Sequence, residues 1–358
     1  MELTSSTILK PVPHPLVGEK VPLTIFDRAA SDLFVPTELA YLAPAPSNEA
    51  LKEGLLKAVA PYPHLAGRLA VDQLGRRFLH VNNEGVLLIE TTVPANLADV
   101  LVQGRIATGV DHLYPTVPEP EENNGDALLQ IQLNRYGCGG LVVGMCSHHR
   151  VADGHSMSMF FTAWATAVRE GMDFIMPTAF LNRAETALPR SSPTPVFDHR
   201  RVRRQSQSPC LCPLQHVPVP ARARLEEDDE ARDLKPEEFT KVRMAVNCRG
   251  RANPPVSMNF FGNMVLWAFP RLLARDLMSS SYGSVVGAIR DAVARIDGDF
   301  HQLDFGTGAP AAFLPPDLPF EGLMLFVPSR EANGGVDLFT SIAEDHVAAF
   351  EQICYSLD

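Results

Sequence analysis

The segment Gly144–His155, read GMCSHHRVADGH, gathers the residues best suited to chemistry. Two adjacent histidines, His148 and His149, stand at the end of an apolar run. Asp153 and Gly154 follow in a tight turn. Imidazole titrates near neutral pH, so it can take a proton from an attacking OH or NH and return it to a leaving group. Acyl transfer from a thioester needs both steps, because the acceptor loses a proton on attack and the departing thiolate regains one. Asp153, four residues after His149, can hold either the local backbone or the imidazole. Gly154 permits a backbone geometry that a side chain would forbid. His149 is the candidate base and Asp153 its candidate support.

Other chemistries fit these residues less well. Neighbouring residues on a strand point to opposite faces, so His148 and His149 are badly placed to chelate one metal ion. No H-E-x-x-H, Walker loop or GxGxxG occurs. GHSMS resembles a nucleophile elbow only in part, because Ser158 stands where that motif needs glycine. Cys210 and Cys212 form a CxC without a second pair, which argues against zinc. H-x-x-x-D alone is a short pattern that arises by chance, and either histidine taken singly could be a core residue.

The flanking sequence supplies elements to position the turn. Gly140–Cys146 is continuously apolar, as a buried strand is. After Asp153, Met157, Phe160, Phe161, Trp164 and Val168 recur at helical spacing, with an end at Arg169–Gly171. Upstream, Ser47–Val59 reads as a helix capped by Ser47, with Leu51, Leu55, Leu56 and Val59 on one face, ended by Pro61. Arg77–Val81 and Val86–Glu90 read as two strands around the turn Asn82–Gly85. Leu128–Asn134 alternates apolar and polar residues, as a half-buried strand does. Downstream, strands are expected at Thr240–Cys248, Gly262–Phe269, Leu323–Val327 and Val336–Ile342, and helices at Gly283–Ile296 and Asp345–Cys354. The mixture predicts α/β or α+β layers.

Composition bounds the class. With 358 residues, two domains are expected. Residues 1–173 and 237–358 are the ordered halves, and 174–236, rich in Pro, Ser and Arg and then in acidic residues, is the linker or crossover. Within it, Arg200–Arg204 could contact a phosphate but reads better as a solvated run, as does Glu226–Glu230. The net charge of −11 disfavours nucleic acid as a partner. No stretch approaches a membrane span, and the N-terminus lacks the apolar run of a signal peptide. A soluble cytoplasmic protein with reduced cysteines is expected.

HHRVADG, His148–Gly154, matches the HHxxxDG motif of the plant BAHD acyltransferases and of the wider chloramphenicol-acetyltransferase-like superfamily. DFGTG, Asp304–Gly308, resembles their DFGWG motif in the expected order and at the expected wide separation. APAPSNEALKEGLLKAVAPYPHLAGRL, AVNCRGRANPP, GNMVLWAFPR and the tail ICYSLD are similar to the grass branch that acylates agmatine, putrescine and tryptamine with hydroxycinnamoyl or benzoyl groups. This resemblance, which covers nearly the whole chain, implies two similar mixed α/β domains with a channel between them, where acyl-CoA and a small amine or alcohol meet at the base. It implies His149 as that base, and Asp153 as an aspartate turned away from the acceptor, paired with an arginine. It implies Asp304 as a remote structural aspartate, for which Arg249 or Arg251 is the candidate partner. Transfer would run through a ternary complex, with no acyl-enzyme, no metal and no permanently bound cofactor, in a monomer. His148, Gly154, Phe305, Gly306 and Gly308 belong to the motifs without a chemical role of their own.

The chain departs from the family in two ways. Thr307 replaces the tryptophan of DFGWG, while segments are shortened between Phe300 and His301 and from about Gln205 to Arg232. Proton abstraction is the same from an alcohol, so O-acylation of an acceptor such as shikimate is one alternative to N-acylation, and the shortened segments make a catalytically impaired relative the other.

Overall fold

The computed structural model describes residues 1–101, 113–116, 125–171, 174–186, 235, 237, 239–241, 244–252, 255–268, 271–273, 312–314, 324–328 and 336–340. Its centre is a six-stranded mixed sheet. The strands are β1 (Glu2–Leu9), β3 (Phe34–Tyr41), β6 (Val86–Val93), β7 (Leu129–Tyr136), β8 (Leu141–His148) and β13 (Ala312–Leu314), in the order β1-β6-β7-β8-β3-β13. The β6–β7 pair is parallel and the other pairs are antiparallel. Every residue of β8 is buried, as its unbroken apolar run predicts. In register with β3, its last residue, His148, lies opposite Phe34.

Of the helices α1 (Ile25–Ala29), α2 (Asn48–Val59), α3 (Leu97–Leu101) and α4 (Gly154–Glu170), α2 and α4 cover one face of the sheet. Ser47 caps α2 by accepting from the Ala50 N–H, and Leu51, Leu55, Ala58 and Val59 are buried. On α4, Met157, Phe160, Phe161 and Trp164 are buried, and the Trp164 indole donates to Leu51 O at 3.0 Å. The two helices approach closely at Gly54, where a Cβ would lie 2.4 Å from Val168 Cγ2. Each of these large apolar side chains contributes about 1.5–3 kcal/mol by leaving water.

The opposite face is covered too, which corrects the half-buried reading of 128–134. There Leu113, Leu97 and Leu101 pack on Ala40, Tyr136 and Val142. A Cβ on Gly144 would lie 2.0 Å from Leu113 O, so only glycine lets residues 113–116 cross the strand there. The polar residues of the alternation, Gln130, Gln132 and Asn134, are buried under this layer and satisfied. Asn134 donates to Leu113 O (2.7 Å) and Val142 O (3.1 Å), and its own oxygen accepts from Thr91 and Gln132 at 2.8 Å each.

The two strands around Asn82–Gly85 do not form a hairpin. β5 (Arg77–His80) joins β2 (Lys20–Pro22) and β4 (Arg68–Val71) in a separate sheet, order β2-β5-β4, while β6 enters the large one. The expected strand at 240–248 is two strands, β9 (Phe239–Lys241) and β10 (Met244–Asn247). They pair with β12 (Arg271–Leu273) and β11 (Val265–Ala268) respectively. The strand expected from Gly262 begins only at Val265. β14 (Met324–Pro328) and β15 (Val336–Thr340) pair antiparallel, close to their expected positions. Because β13 pairs with β3, the large sheet draws on chain well beyond residue 173. The helices expected at 283–296 and 345–354 lie outside the described residues, as does most of 174–236.

Candidate active site

β8 ends at His148, and His149–Val151 make the turn that leads into α4. Asp153 is the N-cap of α4, with its side chain accepting from the Ser156 N–H at 2.9 Å. Its carboxylate is almost fully buried and accepts three further bonds. Arg249 Nη1 and Nη2 donate at 2.9 and 3.0 Å, and the Met264 N–H donates at 2.9 Å. Of the two options left open by sequence, the Asp153 carboxylate takes the first, since its hydrogen bonds go to backbone N–H groups and an arginine.

Arg249 has a different partner from the one expected. Its five N–H donors are taken up by Asp153, Asn247 Oδ1, Ser156 Oγ and the carbonyls of Phe260 and Gly262, at 2.8–3.1 Å. The guanidinium is fully buried, and such a charge is tolerated only when paired and hydrogen-bonded throughout. The resemblance offered Arg249 or Arg251 as the partner of Asp304 and an arginine as the partner of Asp153; the geometry commits Arg249 to Asp153. Asp304, Phe305, Gly306, Thr307 and Gly308 lie outside the described residues, as do Cys210 and Cys212.

The two histidines sit in different surroundings. His148 is fully buried, edge-on to Phe34 at 5.0 Å between ring centroids. Its Nδ1 accepts from the Arg150 N–H at 3.2 Å, so Nε2 carries the proton and lies 3.5 Å from Asp32 Oδ1. Burial, with help from the nearby Arg150 and Arg77 charges, pushes its pKa down to about 3. It is a neutral structural group. Asp32 also pairs with Arg77 at 2.5 Å and Arg150 at 3.4 Å. His149 is half-buried. Its N–H donates to Leu33 O and its carbonyl accepts from Asn263 Nδ2, both at 2.9 Å. Its Nδ1 has no hydrogen-bond partner among the described residues.

Gly154 is not needed for an unusual backbone. It is the first residue of α4, outside the positive-φ glycines, and a Cβ there would meet nothing within 4 Å.

Sequence reasoning missed Asp27, Arg183 and Asn263. Asp27 and Arg183 form a second buried ion pair at 2.6 Å, and Arg183 Nη2 reaches Val151 O at 2.5 Å. Asn263 bridges Asp27 Oδ1 and His149 O. The Thr24-x-x-Asp27 spacing is a readable capping box, and the structure has it. Nothing in that spacing marks the carboxylate as wholly buried.

Comparison with known proteins finds the chain similar to named acyltransferases. A model described as the Transferase family matches residues 1–212 and 227–301. Tryptamine benzoyltransferase 1 of Oryza sativa subsp. japonica is 48% identical, over 100% of this chain and 98% of the relative. Rice tryptamine hydroxycinnamoyltransferase 2 is 44% identical, over 100% and 99%, and rice agmatine hydroxycinnamoyltransferase 1 is 30% identical, over 99% and 98%. The first alignment runs over 442 positions against the 358 residues of this chain, so at least 84 of its positions have no residue here. Among solved structures, vinorine synthase superposes with a TM-score of 0.74 at 20% identity, covering 97% of this chain and 96% of that one. TRI101 of F. sporotrichioides, complexed with coenzyme A and T-2, gives a TM-score of 0.64 at 16% identity, covering 95% of this chain and 98% of that one. The sheet and helices have the fold of these enzymes.

Proposed function

The chain belongs to the BAHD acyltransferases, and from that premise we propose that it moves a benzoyl or hydroxycinnamoyl group from its CoA thioester to an amine, with His149 as general base. Tryptamine is the first candidate acceptor, because the relatives named for it are 44–48% identical, while an agmatine relative stands at 30% and a putrescine relative at 28%. The observation that carries the assignment of the base is the contrast within HHRVADG. His148 is locked, neutral and buried, and the Asp153 carboxylate is used up by four hydrogen bonds. Each ring keeps one buried nitrogen without a hydrogen-bond partner among the described residues, Nε2 of His148 and Nδ1 of His149, but of the two histidines only His149 is partly open to solvent.

The steps follow from this assignment. An amine reaches the site mostly as ammonium and sheds one proton to solvent. The neutral nitrogen attacks the thioester carbonyl while His149 takes one of its two protons, the other staying on the amide nitrogen. The tetrahedral oxyanion collapses, the C–S bond breaks, and His149 returns the proton to the thiolate. No covalent acyl-enzyme is required, and the reading includes no resident cofactor. Asp153 and Arg249 hold the start of α4 against residues 260–264. Asp304 is taken as a structural aspartate remote from the chemistry. The same reading divides the chain into domains at 1–173 and 237–358 joined by 174–236, with acyl-CoA and amine meeting between them, in a cytoplasmic monomer.

The shortening relative to the tryptamine enzymes supports a second reading, a folded but impaired family member. Thiol release from benzoyl-CoA and coumaroyl-CoA, measured with tryptamine, agmatine, putrescine and shikimate, separates the two. The proposal expects release that depends on an amine and is fastest with tryptamine. Preference for shikimate would replace N-acylation with O-acylation, and no release from folded protein would establish impairment.

A further inference from the structure

His149 is held through its backbone. The Asn263 side-chain amide that donates to its carbonyl at 2.9 Å spends its second N–H on Asp27 Oδ1, at 3.0 Å. The same carboxylate oxygen receives Arg183 Nη1 at 2.6 Å, and Arg183 Nη2 returns to the turn at Val151 O, 2.5 Å away. The circuit His149–Asn263–Asp27–Arg183–Val151 thus begins and ends on one turn. All three side chains are buried. The other Asp27 oxygen is occupied by the Thr24 N–H and hydroxyl at 2.9 and 2.8 Å, so the carboxylate cannot swing away without losing its capping box. This circuit shares no side chain with the Asp153–Arg249 pair.

Resting on the reading of His149 as the base, we propose that Asn263, braced by the Asp27–Arg183 pair, is a positioning residue that sets the orientation of the His149 imidazole through its carbonyl. The His149 N–H is pinned to Leu33 O and its carbonyl to Asn263, so both peptide planes flanking its Cα are fixed. With Nδ1 bonded to no described residue, the two peptide planes set the Cα–Cβ direction from which the ring projects. A general base works only within hydrogen-bond reach of the proton it takes, and a displacement of about 1 Å costs on the order of 100-fold. Asp153 cannot perform this task, since its four bonds go to Arg249, Ser156 and Met264. Asn263 lies beyond the 174–236 crossover, so the base is oriented only when that later segment is seated on the turn.

The test is a kinetic cycle of Asn263→Ala, His149→Ala and the double variant, with benzoyl-CoA and tryptamine, rates being normalised to the natively folded fraction. Asn263→Ala should lower kcat by roughly 10- to 100-fold and leave both KM values within about twofold. In the His149→Ala background the same substitution should cost nothing further, because a residue that acts through the base has nothing left to act on. Asn263→Ser, whose short hydroxyl cannot reach both acceptors, gives the same pattern and serves if the alanine variant fails to fold. A wild-type kcat per folded molecule overturns the proposal, as does a loss carried by KM or a full additional loss in the His149→Ala background. Wild-type turnover by His149→Ala alone overturns the assignment of the base, and the positioning role with it. Loss in His149→Ala without loss in Asn263→Ala overturns the positioning role only.

Discussion

The two flanks of the HHRVADG turn are built from the same residue types and do opposite things. On the His148 flank, one half-exposed carboxylate, Asp32, faces Arg77, Arg150 and a histidine that burial keeps neutral. On the Asp153 flank, the carboxylate is sealed from solvent and matched donor for acceptor by one arginine and two backbone N–H groups. Between them, His149 makes its hydrogen bonds to described residues through its backbone. The difference shows how two adjacent histidines acquire separate fates. His148 is the last residue of the buried strand and His149 the first of the turn, and the surroundings of each position then decide which ring stays neutral and buried.

That contrast can be broken by substitution. Asp153→Asn leaves the Arg249 charge buried without its partner and should cost about 3–5 kcal/mol in urea unfolding. Asp32→Asn removes a carboxylate that water still reaches and should cost about 1 kcal/mol or less. Equal losses would mean that the two flanks are not different media. Protonation gives a second handle. The pKa of His148 is about 3 folded against 6.5 unfolded, so between those values the unfolded chain binds more protons. Stability therefore falls as pH drops from 6.5 towards 3, by up to about 1.4 kcal/mol per pH unit from this group. His64, also held well below the histidine range by burial, adds a slope of the same sign. His148→Gln should flatten the wild-type slope of unfolding free energy between pH 6 and 4, and an unchanged slope would contradict the buried neutral assignment. The smallest effect is expected at Gly154→Ala, whose Cβ meets open space at an ordinary helical residue. Its stability should stay within about 1 kcal/mol of wild type, on the stabilising side. A loss of several kcal/mol would restore a backbone role for this glycine.

Local signals in the sequence were reliable guides where one residue or one period decides the outcome. Ser47 as a cap, the start of a helix just after Asp153, the apolar face of α4 and the unbroken run of β8 could all be read directly. What was not legible depends on distant chain. The alternation in Leu128–Asn134 indicates a polar face, but residues 113–116 cover that face and the polar side chains bond to one another and to the cover. A strand pair around Asn82–Gly85 looks like a hairpin until β5 and β6 are drawn into different sheets by their other partners. In the site, HHRVADG marks the turn, yet the residues that grip it, Asp27, Arg183, Arg249 and Asn263, come from four separate segments. Spacing along the chain could not say that Arg249 faces Asp153.

The central claim is that His149, and not its neighbour, is the base. Acceptor-dependent thiol release from benzoyl-CoA at pH 7.5 should be compared for wild type, His149→Ala and His148→Gln, each shown to be folded. His149→Ala should lose roughly 100- to 10,000-fold in kcat, the range that a positioned base supplies. His148→Gln should lose stability while keeping turnover within about tenfold. Near-normal release by His149→Ala, or a deeper loss in His148→Gln, would contradict the account.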